Sequence, residues 1–159
     1  MAAITLHTRI AVLLATPVIT AALWAGDAWI GAWKLSHTKS ESYPKMPKSQ
    51  VFIFEAQGEG LKTTEQLVTV DGQDYSVHWT ANYDDKDYPV VGSRAGVEWV
   101  SIHRTDANTC EGVVKKKDRT LVGLYKVVVS PDRKILTLHS RPGTPSPDKP
   151  PRVRIFDRQ

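Results

Sequence analysis

The chain has 159 residues, 24% charged and 41% hydrophobic, with a formal net charge of +4 and a single cysteine. That length suits one domain. One cysteine excludes an internal disulfide, so stability has to come from packing and backbone pairing. The modest positive charge is spread along the chain and lacks the clustered basic face that marks a nucleic-acid partner.

The chain opens on a segment that has to be set aside before any fold is read. Met1 to Arg9 is weakly basic, Ile10–Ala25 is apolar and broken by Pro17, and Asp27 is the first acid. A basic start, an apolar run and small residues at its end have the pattern of a secretory signal peptide, with candidate cuts after Ala22 or Ala25. An uncleaved anchor is the other reading, but a spanning helix typically takes about 20 apolar residues. Residues 1–25 are therefore read as a signal peptide and 26–159 as the folded domain. The protein is expected to be exported, periplasmic or secreted, with no stable membrane insertion after cleavage.

Beyond residue 30, runs rich in β-formers alternate with turn residues, the pattern of a sandwich or barrel. Strands are predicted at Ala32–Thr38, Gln50–Ala56, Leu61–Val70, Tyr75–Tyr83, Val97–Arg104, Thr109–Lys116, Leu121–Ser130, Ile135–Ser140 and Arg152–Asp157. Asp71-Gly72 reads as a two-residue hairpin turn. Lys117-Asp118-Arg119 and Ser130-Pro131-Asp132-Arg133 mark two further turns. Strands joined in this way form an up-and-down meander, and closure removes its exposed edges. The fold class is all-β, an antiparallel up-and-down barrel of about 8–10 strands, with an open sandwich as the runner-up. Ser40–Ser49 is a polar linker, and Arg141–Pro151 holds five prolines and is expected to be a stiff connector at one barrel end. In Tyr75–Tyr83, the odd positions Tyr75, Val77, Trp79, Ala81 and Tyr83 share a face that should point inward, leaving Ser76, His78, Thr80 and Asn82 in water.

Gly31-Ala32-Trp33-Lys34-Leu35 resembles the Gly-x-Trp signature at the first strand of the calycin superfamily, the lipocalins and fatty-acid-binding proteins. From about residue 29 to 159 the chain is similar to small exported bacterial lipocalin-like proteins. The likeness rests on Trp29–Leu35, Tyr88-Pro89-Val90-Val91-Gly92, Val127–Asp132 and Val153–Gln159. The resemblance implies an apolar interior with one closed end, a structural role for Gly31 and Trp33, and a late-strand arginine, Arg152 or Arg154, against Trp33. Fatty-acid-binding proteins hold a ligand carboxylate with Arg-x-Tyr on the last strand. Arg154-Ile155-Phe156 matches the arginine but has no hydroxyl at Phe156. The competing reading points Val153 and Ile155 inward and leaves Arg152 and Arg154 in solvent. The relatives carry Asp-Gly where this chain has Asp118-Arg119 and Asp132-Arg133. Those turns should therefore change type or carry strain, since a left-handed non-Gly residue costs about 1 kcal/mol.

No catalytic constellation stands out, so the chain is read as a non-enzyme without a cofactor. His37, His78, His103 and His139 lie on separate strands without the close pairing of a metal site, so no metal is assigned. Cys110 shares its face with Gly112 and Val114 and reads as a small buried hydrophobe. The candidate ligand-binding residues are Tyr75, Trp79, Tyr83, Trp99, Tyr125 and Arg154. The expected function is binding of a small apolar or amphipathic molecule inside the barrel. The alternative is a filled barrel acting as an interaction or structural module of the cell envelope, through its proline-rich loop and hairpin tips.

Overall fold

The computed structural model describes residues 27–42, 45–92, 96–143 and 150–159. Residues 1–25, where a signal peptide is expected, and the centre of the proline-rich segment lie outside the described residues. Ten strands follow in chain order: β1 Gly31–Leu35, β2 Ser49–Gln57, β3 Gly60–Val68, β4 Asp74–Asn82, β5 Tyr88–Val91, β6 Trp99–Arg104, β7 Thr109–Lys115, β8 Leu121–Val129, β9 Ile135–Pro142 and β10 Arg152–Arg158. Each pairs antiparallel with the next, and β10 closes on β1, so the sheet is a closed up-and-down barrel. Closure leaves no open edge for another chain to pair with.

Several boundaries and one strand differ from the sequence reading. β1 ends at Leu35 and β3 at Val68, β6 begins at Trp99, and β9 runs on to Pro142. β5 was not expected at all. It is four residues long and carries Pro89, which cannot donate to a ladder, and it pairs at only two positions with β4 and two with β6.

The hairpins have a common design. At Asp71-Gly72 the loop is three residues rather than two. Thr69 N–H donates to Gln73 O (2.9 Å), Gly72 N–H donates to Thr69 O (3.0 Å), and Gly72 has φ 89°. This is a type I turn followed by a left-handed residue. The same pattern recurs at Lys116–Thr120, where Arg119 N–H donates to Lys116 O (3.0 Å) and Arg119 has φ 68°. At Ser130–Ile135, Arg133 N–H donates to Ser130 O (2.8 Å), and Arg133 has φ 57°. The two turns without glycine therefore keep the turn and accept the backbone strain.

One end of the barrel is sealed. The turn Asp27–Ile30 runs across it, and Trp29 and Trp33 are 1% and 0% exposed. Trp33 Nε1 donates to Trp29 O at 2.6 Å. The arginine over the Trp33 ring is Arg158, 4.9 Å from its centroid, rather than Arg152 or Arg154. Arg158 lies at the sealed end of β10, and its guanidinium also donates to the carbonyls of Ala28, Ile30 and Arg133. Gly31 makes room for it. With φ 129°, a Cβ there would stand 3.1 Å from Arg158 Nη2. Beneath the lumen, Phe156, Leu136, Ile102, Ala81 and Val129 are almost fully buried and form the core.

Candidate functional site

Above that core the barrel encloses a cavity of about 350 Å³. Its floor is Trp29. Its middle wall is apolar, with Phe52 and Phe54 from β2, Leu61 and Leu67 from β3, Val77 and Trp79 from β4, and Val127 and Leu138 from β8 and β9. Period-two alternation explains the selection, since each of these positions is one of the inward set of its strand.

The polar lining is concentrated at the open end. Phe156 is the large apolar residue of β10 and points into the core, 0% exposed. Arg154 and Arg152 share its parity, so both line the cavity, and the expectation that Val153 and Ile155 fill the lumen is corrected. β1 stops opposite Phe156, at Leu35. One step up the wall, Arg154 reaches past the end of β1 to β2, where its Nη1 donates to Gln50 Oε1 at 2.6 Å. Gln50 is 1% exposed, and its Nε2 donates to Glu65 Oε1 on β3 at 2.6 Å. A buried amide linked to ionised groups on both sides is well satisfied. Arg141, at the end of β9, adds a third guanidinium to the wall.

The sequence-derived candidates divide. Trp79, Tyr125 and Arg154 line the cavity. Tyr75 lies on the inward face but is not part of the cavity wall. Tyr83 sits in the floor: Trp29 Nε1 donates to its hydroxyl (2.8 Å), which donates to Asp27 Oδ2 (3.1 Å). The Arg104 guanidinium lies 5.0 Å from the Trp29 ring and 4.5 Å from the Tyr83 ring, and pairs with Asp27. Burial pushes the Tyr83 phenol up to about 12. Trp99 faces outward, opposite in parity to Val100, and is covered by Arg119 at 3.6 Å. Asp87 holds that cover in place through Arg119 and, at 2.8 Å, Lys115, and those two cations hold its carboxyl below the usual range. His78 is exposed beside Ser76 and Thr64, as its face implies.

Cys110 also lines the cavity, and burial pushes its thiol up to about 12. The Tyr125 hydroxyl is buried against Gly112 and has no hydrogen-bond partner among the described residues. Its phenol is raised well above 10.0 by burial. Trp29, Gln50, Glu65 and Arg141 were missed from sequence. The alternation Gln50-Phe52-Phe54 carried the signal for Gln50, because the two phenylalanines fix that face inward.

Comparisons with protein-family models, curated proteins and solved structures find no match.

Proposed function

We propose that the chain is an exported, lipocalin-like carrier that takes one small apolar or amphipathic molecule into its barrel. The observation that supports this reading is the cavity. Its volume of about 350 Å³ lies at the low end of the roughly 300–1,000 Å³ of small-molecule sites, and its lining is apolar with a few convergent polar groups. A ligand burying about 200 Å² of apolar surface there would gain roughly 5 kcal/mol before the costs of association. Binding is preferred to catalysis because the Cys110 thiol, pushed up to about 12 by burial, is held in the form that is not a nucleophile. Export rests on the pattern of residues 1–25 alone.

The test is native mass spectrometry of protein recovered without added ligand, with displacement of an apolar fluorescent dye. A mass increment that is lost on denaturation, or dye binding that Val127→Trp abolishes by filling the lumen, is the expected result. Absence of both, or dye binding unchanged in Val127→Trp, would move the function to the outer surface.

A further inference from the structure

The charged groups just inside the mouth are engaged with one another. Arg154 Nη1 donates to Gln50 Oε1, and Gln50 Nε2 donates to Glu65 Oε1, both at 2.6 Å. A half-buried cation and a half-buried anion are thus joined through a buried amide, and each has a further interaction besides. A carboxylate entering from the mouth would have to break this crossbar to reach Arg154, and an ammonium to reach Glu65. Parting a half-buried charge from its partner is costly.

Below the crossbar the lumen has an aromatic side and a thin side. In the closed order of ten strands each faces the one five places round, so β2 stands across the lumen from β7. On β2, Phe52 and Phe54 lie parallel to within 9°, with centroids 5.5 Å apart, and Phe52 leans on Phe156 at 5.2 Å. On β7, Cys110 lines the cavity. Gly112 has no side chain, and the tip of the Tyr125 phenol lies in its place. A Cβ on Gly112 would stand 2.3 Å from Tyr125 Cζ and 2.4 Å from its hydroxyl. The hydroxyl is covered there, so what Tyr125 turns to the cavity is carbon. Burial pushes the Cys110 thiol up to about 12 and the Tyr125 phenol well above 10.0, so neither presents a charge at this depth.

These walls select by charge, shape and size. A charged group lodged among the rings would lose its water and find no counter-charge on either side. An aromatic group gains ring contacts that a saturated group of the same size lacks, because aromatic pairs are favoured beyond their area burial. An apolar cavity of about 150 Å³ takes a single benzene ring, and this one measures about 350 Å³.

We infer that the ligand is an uncharged aromatic compound of about two fused rings, seated between the Phe52–Phe54 pair and the wall of Cys110 and Tyr125. This deepens the carrier reading above and rests on it.

The experiment is calorimetric titration at neutral pH with naphthalen-2-ylmethanol, its decahydro analogue and naphthalene-2-carboxylate. They are a flat neutral, a saturated neutral and a flat anionic probe of similar size. The flat alcohol should bind roughly tenfold or more tighter than the carboxylate, and about three- to tenfold tighter than the saturated alcohol. Phe52→Leu should narrow the gap between the two alcohols, and its binding of the saturated one shows that the barrel is intact. A carboxylate bound as tightly as the flat alcohol would overturn the uncharged ligand. Equal affinity for the two alcohols, or a gap that Phe52→Leu leaves unchanged, would overturn the aromatic seat. Dye binding that Val127→Trp abolishes, without binding of any of the three probes, would sink this inference and leave the carrier reading standing. Loss of dye binding as well would remove both.

Discussion

Arg133 occupies a position that glycine fills in the equivalent hairpin of the same barrel. Its φ is 57°, against 89° for Gly72, and its side chain makes no contact that the turn needs: the bonds that hold the turn run through backbone and through Ser130 and Asp132. Arg133→Gly should therefore stabilise the protein by about 0.5–1 kcal/mol, seen as a higher urea midpoint at unchanged slope. Arg119, at φ 68°, has the same strain but also covers Trp99 and pairs with Asp87. Arg119→Gly should be neutral or destabilising, and the contrast between the two variants separates strain from packing. Gly112 tests the opposite constraint. A Cβ there would collide with the Tyr125 ring and hydroxyl, so Gly112→Ala should cost about 1–3 kcal/mol. Tyr125→Leu in the same chain should recover part of that loss in a double-mutant cycle. The strain at the two arginine turns was legible in the sequence, because Asp118-Arg119 and Asp132-Arg133 stand where a turn wants glycine. The Gly112–Tyr125 contact was not, because it depends on the register of β7 against β8.

At the scale of the element, alternation did most of the work. β4 reads inward and outward as its sequence dictates, from Val77 and Trp79 on the cavity to His78 and Thr80 in water. β10 did not yield to the same argument, because Val153 and Ile155 make one face aliphatic while Phe156 sits among arginines on the other. Only the burial of Phe156 decides that Arg154 faces the lumen. β5 escaped because a four-residue run containing Pro89 lacks the length and the donors that identify a strand. Its weakness has a dynamic consequence. β2–β3 and β3–β4 are each paired over nine positions, whereas β5 has two on either side. Local opening should start there. In native-state hydrogen exchange, the amides of Val90 and Val91 should exchange roughly a hundredfold faster than those of Phe52 and Thr63 in the β2–β3 ladder. Equal protection would show that the barrel opens only as a unit.

At the scale of the whole molecule, a closed barrel followed from strand spacing and turns, but whether it is hollow did not. A barrel near this size is either filled by its side chains or left with room for one ligand. The difference lies in small residues on neighbouring strands of one wall, such as Cys110 on β7 and Gly123 on β8, which line the cavity. What such an interior must do with ionisable groups is testable without knowing the ligand. Three of them are acids whose folded-state pKa burial raises: Cys110, from 9.0 to about 12, Tyr83, from 10.0 to about 12, and Tyr125, well above 10.0. An acid raised in this way is kept neutral by the fold. As pH passes its unfolded pKa, the unfolded chain gives up the proton first, and stability falls until the folded pKa is reached. The stability these groups contribute is thus fully present below about pH 9 and is lost progressively toward pH 12. The loss should amount to about 2–4 kcal/mol by pH 11, measured as the urea midpoint across pH. The informative quantity is the difference between proteins. Cys110→Ala and Tyr125→Phe should each flatten the alkaline limb, and Lys115→Gln should lower stability near neutral pH without removing that limb. A ligand that displaces water from the lumen should carry the thiol of Cys110 further from ionisation. In its presence, alkylation of Cys110 at pH 9 should slow, whereas an alkylation rate indifferent to ligand would place the bound molecule away from the β7 wall.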